Sequence, residues 1–168
     1  MSDLSPVALR LREGLRRLAK AVVVITCRHE GQRYAMAATA VSELSMDPPS
    51  LLVCVNRAAS LHGPLAQGAD FCVNILHRSH GPVSAACSGK VRGEARFAIG
   101  DWGATAEGCP LLRDAQASFF CRNAQAMDYG THRIVIGRVE EVLIAGEIDP
   151  LVYADGRYLG LGEPIELG

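Results

Sequence analysis

The chain has no C-x-x-C pair, few aromatic residues, no excess of either charge and no long apolar run. Each of these absences narrows the function. The six cysteines, at 27, 54, 72, 87, 109 and 121, have no metal-ligand spacing. His29, His62, His77, His80 and His132 do not supply it either, so no structural metal is expected. Cys27, Cys54, Cys72 and Cys121 lie in apolar runs and read as buried small hydrophobes in a reducing compartment. A formal net charge of −1 speaks against a protein built to grip nucleic acid by its phosphates. No apolar run reaches bilayer length. The first residues interleave apolar side chains with arginines rather than forming a signal-peptide core. The expectation is a soluble, cytoplasmic protein with no nucleic-acid or membrane partner. G-x-G-x-x-G, G-x-x-x-x-G-K-[ST] and G-x-S-x-G are all missing, so any nucleotide cofactor must be held another way.

What is present is 168 residues with 49% hydrophobic and 21% charged content, the profile of one ordinary folded domain over 1–168. Its organising stretch runs from Ala35 to Asn56. Small residues and hydroxyls occupy 35–45, a double proline follows at 48–49, and 50–55 read as a central strand. Small side chains let a flat ligand approach the backbone, and hydroxyls and free N–H groups can bind an anion at its edge. If 36–46 is one extended run, Thr39 and Ser45 share its more polar face.

The remaining elements are short. Ser5 to Lys20 reads as a helix with Ser5 as N-cap and Pro6 in its first turn. Its basic residues form a solvated face on a packed helix. Residues 21–27 form a buried strand, Glu30-Gly31 a turn, and the chain returns through Tyr34 as a hairpin. Ser60 is a candidate N-cap for a helix through Gln67, stopped by Gly68. Spacing leaves open whether that helix start binds an anion or is simply capped. Residues 71–76 form a strand, and a short helix lies between Pro82 and Gly89. Strands are expected over 117–121 and 133–144, with a bulge near Arg138, and a hairpin about Asp155-Gly156. Six to eight strands without βαβ alternation predict a mainly β chain, a barrel with a few flanking short helices.

On these residues the chain resembles the flavin reductase-like family, the small reductase components of two-component flavin-dependent monooxygenases. The matching stretches are Ala35-Met36-Ala37-Ala38-Thr39-Ala40-Val41, Asp47-Pro48-Pro49 and Leu52-Val53-Cys54-Val55-Asn56-Arg57. Ser60-Leu61-His62, 71–76, Arg96-Phe97 with Trp102, and Gly130-Thr131-His132 follow in the family's order. The final match is Tyr153 with Gly156-Arg157-Tyr158, so the likeness covers a core of about 10–161. It implies an FMN-binding split β-barrel of Greek-key type acting as a homodimer. It further implies NAD(P)H-dependent reduction of FMN or FAD, with NADH or NADPH as co-substrate and the reduced flavin passed to a partner monooxygenase.

Carried over by position, the resemblance sets Met36, Ala38, Thr39 and Ala40 along the flavin, and Cys54, Val55 and Asn56 on its ring side. Ser60, Leu61 and His62 fall at the phosphate end, Arg96 and Phe97 at the flavin edge, and His132 with Tyr158 beside the nicotinamide face. His132 is the candidate catalytic residue. Taken without the resemblance, Thr39 reads as a strand threonine, Asn56 as a turn former, and Phe97 and Trp102 as packing residues. Four positions depart from the family: Ala35 for Gly, Ala37 for Thr, Glu43 for a small hydroxyl and Thr131 for Asp. A carboxylate beside a flavin phosphate would repel it, so Glu43 is expected to point elsewhere. The alternatives are a non-catalytic flavin- or haem-binding split barrel and a pyridoxamine-phosphate-oxidase-like enzyme.

Overall fold

The computed structural model of the protein describes residues 4–164. The ends of the expected 1–168 domain, 1–3 and 165–168, lie outside the described residues. Ser5 caps helix α1 (Pro6–Leu15), its hydroxyl accepting from the Ala8 N–H at 3.2 Å. The helix stops well short of the expected Lys20, because that segment's backbone is committed to a ladder. Strand β1 (Lys20–Ala21) pairs with residues 152–153 near the C-terminus. The packed helix is also corrected. No residue of α1 is buried, and Val7, Leu11 and Leu15 are exposed.

Strands β2 (Val23–His29) and β3 (Gln32–Ala38) form the expected hairpin. Glu30 and Gly31 at its tip both take positive φ, 48° and 78°, as the two-residue turn requires. The chain breaks at Thr39-Ala40 and resumes as β4 (Val41–Met46). Thr39 and Ser45 therefore do not share one strand face, and the Ser45 hydroxyl accepts from the Asp47 N–H in the next turn. A tight turn containing a cis Asp47–Pro48 bond leads into β5 (Pro49–Asn56). Helix α2 (His62–Ala66), strand β6 (Phe71–Ile75) and helix α3 (Gly81–Ala85) follow. After the short strands β7 (Trp102–Ala104) and β8 (Pro110–Leu112) come two long ones, β9 (Ala117–Tyr129) and β10 (His132–Ile144). The chain closes with β11 (Val152–Ala154) and β12 (Arg157–Leu159) about the Asp155-Gly156 turn.

The described residues thus hold twelve strands rather than six to eight. The difference lies in the short strands β1, β7 and β8, too short to show a period, and in the break that divides the 36–46 run between β3 and β4. β9 also outruns its expected end at Cys121. Its outer half, Arg122 to Tyr129, is mostly exposed and polar and is held as strand by its ladder to β10. Register shifts flank Arg138, between Ile136 and Gly137 and between Val139 and Glu141, where the bulge was expected. Gly137 is required there, since a Cβ would collide with the Phe71 ring.

Seven strands make the principal sheet, in the order β3-β2-β6-β9-β10-β5-β4. β3 and β4 are its opposite edges, yet only Thr39 and Ala40 separate them in sequence. The sheet must therefore curl until its edges meet at that point. Among the described residues no ladder joins β3 to β4, so the sheet is not bonded into a closed cylinder. Val23, Ile25, Val53, Val55, Phe71, Val135 and Cys121 fill its concave core with Leu61 and Leu65 of the α2 segment. Each fully buried aliphatic side chain contributes about 1.5–3 kcal/mol. A second cluster, including Val24, Leu76 and Phe97, seals the other face.

Candidate functional site

The site is built where the two sheet edges meet. Because β3 ends at Ala38 and β4 starts at Val41, Thr39 and Ala40 belong to neither ladder. The Ala40 carbonyl accepts from the Cys54 N–H at 2.9 Å, which fixes the junction to β5. Among the described residues, neither the Thr39 nor the Ala40 N–H donates a hydrogen bond within the protein. Both residues are half-buried, and both line the adjoining space.

That space is a cavity of about 750 Å³ lined in part by Thr39, Ala40, Glu43, Leu52, Cys54 and Phe119. A smaller one of about 280 Å³ is lined by Ala37, Ala38, Thr39, Ser84, Ser88 and Tyr158, with Val22 and Tyr153 completing its wall. Thr39 belongs to both. The smaller cavity is rich in hydroxyls: Ser84 and Tyr158 hydrogen-bond to each other at 2.9 Å, and the Ser88 hydroxyl donates to the Ser84 carbonyl at 2.6 Å. Glu43 lines the larger cavity instead of pointing away from it.

The structure therefore gathers Ala38, Thr39, Ala40, Cys54 and Tyr158 about one junction. The other candidates are placed differently. Met36 lies on the core side of β3, opposite Ile25. Val55 and Leu61 are fully buried in the core and present no side chain to either cavity. Asn56 is exposed, and its side-chain carbonyl accepts from the Ala58 N–H at 2.8 Å, which makes it a turn former.

Ser60 is not a cap. α2 starts after Leu61 without a side-chain cap, and the Ser60 hydroxyl accepts from Arg96 Nη1 at 3.1 Å. Arg96 is a buried brace: Nη1 also donates to the Ala35 carbonyl, and Nε to the Val91 carbonyl at 2.8 Å. Its guanidinium ties the 93–98 turn to β3 from behind. Phe97 packs edge-on against Trp102 with centroids 5.0 Å apart, under the Arg33 guanidinium. His62 lines neither cavity, and its Nε2 is buried without a hydrogen-bond partner.

His132 is exposed at the start of β10, directly opposite Asn56 in the ladder. Its Nδ1 lies 2.9 Å from the Thr131 hydroxyl. It shares the strand face of Cys54, two ladder positions further along. Sequence reasoning missed Ser84, Ser88 and Tyr153. Ser84 and Ser88 stand four residues apart, a helical signal that was legible. Tyr153 lies in the last family-like stretch but was given no site role, because its position depends on the pairing of β11 with β1.

Burial pushes the thiols of Cys27 and Cys121 up to about 12, and that of Cys87 up to about 11. Cys72 is raised further, first by its hydrogen bond with Cys109 and then by burial. All six cysteines are free. Among the described residues no cluster could hold a metal ion, and no helix is long and apolar enough to cross a membrane.

The protein is thus a curled, mainly β sheet that, among the described residues, leaves two backbone N–H donors without a protein partner at a small-residue junction. Residues 15–162 match the family described as flavin reductase like domain, and the chain belongs to that family. It is 42% identical over 147 residues to "FMN reductase (NADH) RutF" of Methylorubrum populi, which covers 88% of this chain and 73% of that protein. It is 40% identical over 162 residues to the reductase component of an FADH(2)-dependent resorcinol hydroxylase from a Rhizobium species, covering 94% and 90%. Among solved structures, the BorF flavin reductase component of a bacterial two-component tryptophan halogenase superposes with TM-score 0.84 at 32% identity, covering 93% of this chain and 99% of that one.

Proposed function

We propose that the chain is an NAD(P)H:flavin oxidoreductase that reduces FMN or FAD and delivers the reduced flavin to a partner monooxygenase. The observation that carries this reading is the Thr39-Ala40 junction. Two backbone N–H groups without a partner among the described residues adjoin two cavities, one largely apolar and one rich in hydroxyls. The fit with flavin is chemical: a flat ring needs close backbone approach, and its polar edge and phosphate need donors. Bound flavin supplies the hydride acceptor, N5, for the nicotinamide C4 hydride.

The chain's own work is binding and orientation. Ala38, Thr39 and Ala40 hold the flavin at the junction, with Cys54 on its ring side. Ser84, Ser88 and Tyr158 supply hydroxyl partners at the other end. No general acid or base is required for hydride transfer, so correct placement is the main catalytic contribution. His132, on the strand face of Cys54, borders the nicotinamide face and orients that ring. Arg96 and Ser60 act from behind, by holding β3 in place.

The curled, unclosed sheet is read as the family's split barrel, and residues 10–161 as one functional domain. Exposed Met127, Tyr129, Val142 and Ile144 on the long β9–β10 pair favour a homodimer, which sedimentation velocity tests directly. Six free thiols suit the reducing cytoplasm. The activity is tested by mixing purified protein with FMN or FAD and following NADH or NADPH oxidation. Turnover well above that of free flavin is expected. No turnover with any flavin–nicotinamide pair would overturn the proposal.

A further inference from the structure

Glu43 brings a carboxylate into the wall of the largest cavity, where none was expected. Its ladder position explains the direction. Val41 pairs with Val53 and Glu43 with Leu51, so both side chains share the core-facing side of the sheet. The β4 ladder then shifts register between Glu43 and Ser45, a bulge of the kind that re-aims a side chain beside a site. The surrounding wall is apolar, since Val41, Leu51, Ile75 and Phe119 line the same cavity. Thr39, Ala40 and Cys54 line it as well.

Among the described residues, Glu43 and Lys20 are the only charged groups lining this cavity. Neither has an ion-pair partner among the described residues, and the two are not paired with each other. The proposed reaction changes the charge of what sits beside them. A hydride, one proton with two electrons, leaves nicotinamide C4 and bonds to flavin N5. The neutral nicotinamide ring becomes a cation, and the neutral flavin ring becomes an anion at its N1–O2 edge. The flavin phosphate carries the same charge before and after, so it cancels from the comparison. A carboxylate in an apolar wall therefore repels the product ring and has little effect on the neutral ring that enters.

From this placement we infer that Glu43 sets the redox preference of the site: its carboxylate weakens the binding of reduced flavin relative to oxidised flavin and so favours release of the product. The inference rests on the proposed flavin reading and deepens it. Glu43 is a specificity residue for the redox state of the flavin and takes no part in the hydride step. Lys20, on β1, acts in the opposite sense.

The test measures the midpoint potential of bound FMN in wild type, Glu43→Gln, Glu43→Asp and Lys20→Gln by anaerobic dye-coupled titration, with fluorescence titration giving the affinity for oxidised FMN. Glu43 is exposed and its carboxylate makes no hydrogen bond among the described residues, so these changes spare the fold. Glu43→Gln is expected to tighten reduced FMN relative to oxidised FMN about three- to fivefold. At about 30 mV per tenfold for a two-electron couple, the bound potential rises by about 14–21 mV. Glu43→Asp should keep the wild-type potential, and Lys20→Gln should lower it. An unchanged potential in Glu43→Gln overturns the role of Glu43, and shifts of the same sign in Glu43→Gln and Lys20→Gln would mark a packing effect and overturn it too. If wild type binds no flavin, the flavin reading fails and takes this inference with it; binding with an unchanged potential defeats the inference alone.

Discussion

Two polar places in this sheet differ in whether their donors are satisfied. Around Asn74, buried inside β6, every polar contact is internal. Nδ2 donates to the Val24 carbonyl at 2.9 Å, and Oδ1 accepts from the Leu112 N–H and the Ser118 hydroxyl, both at 2.9 Å. Thr26 donates alongside to the Pro110 carbonyl. At Thr39-Ala40 the backbone is half-buried and its N–H groups have no partner among the described residues. A buried polar group costs free energy unless paired, so the first place is scaffold, and the second is the place the proposed function assigns to flavin. Substitutions should separate them: stability falls at the first, flavin affinity at the second.

The largest effect is expected from Asn74→Leu, which strands the Val24 carbonyl and the Leu112 N–H. A loss of about 3–4 kcal/mol in urea unfolding is expected. A loss below about 1 kcal/mol would erase the contrast. Next comes Arg96→Met, which frees the Ala35 and Val91 carbonyls; about 2–3 kcal/mol is expected by the same measurement. It should affect flavin binding only through β3.

The buried thiols sharpen the scaffold side through pH. Their folded values are raised above the ordinary thiol value of 9.0. An acid whose folded pKa is raised stabilises the fold fully below the unfolded pKa and loses that contribution as pH climbs to the folded one. Stability should therefore be insensitive to these groups at pH 7–8. It should then fall from about 9 towards about 11–12, by about 1.4 kcal/mol per pH unit for each thiol. Urea titrations across that range check this, and a flat profile would show the thiols to be accessible.

How much of this was legible in the sequence depended on how local each signal was. The Glu30-Gly31 and Asp155-Gly156 turns, the Ser5 cap and the Arg138 bulge were read correctly, because each is decided within a few residues. The junction was placed in the right stretch, but its form was not seen. A break at Thr39 is created by β3 and β4 pairing at opposite edges of the sheet, which no local pattern records. Ser60 fails as a cap for a similar reason: Arg96, far along the chain, claims its hydroxyl. Val55 and Leu61 sit in family-like motifs, yet point into the core. A matching motif marks a segment and leaves the direction of each side chain to the packing.

On the ligand side the effects on stability are small. Thr39→Val should change stability by less than about 0.5 kcal/mol while weakening flavin binding about five- to tenfold by fluorescence titration. His132→Ala is expected to leave stability unchanged, because the ring is exposed, and to lower kcat by about three- to tenfold through looser nicotinamide placement.

The most direct measurement is stopped-flow reduction of FMN and FAD by NADH and NADPH, with wild type and Thr39→Trp, whose indole would fill the junction. A flavin seated at Thr39 predicts rapid reduction by wild type and reduction no faster than free flavin by Thr39→Trp, with an unchanged far-ultraviolet circular dichroism spectrum. Full activity in Thr39→Trp, or none in wild type with any pair, would contradict it.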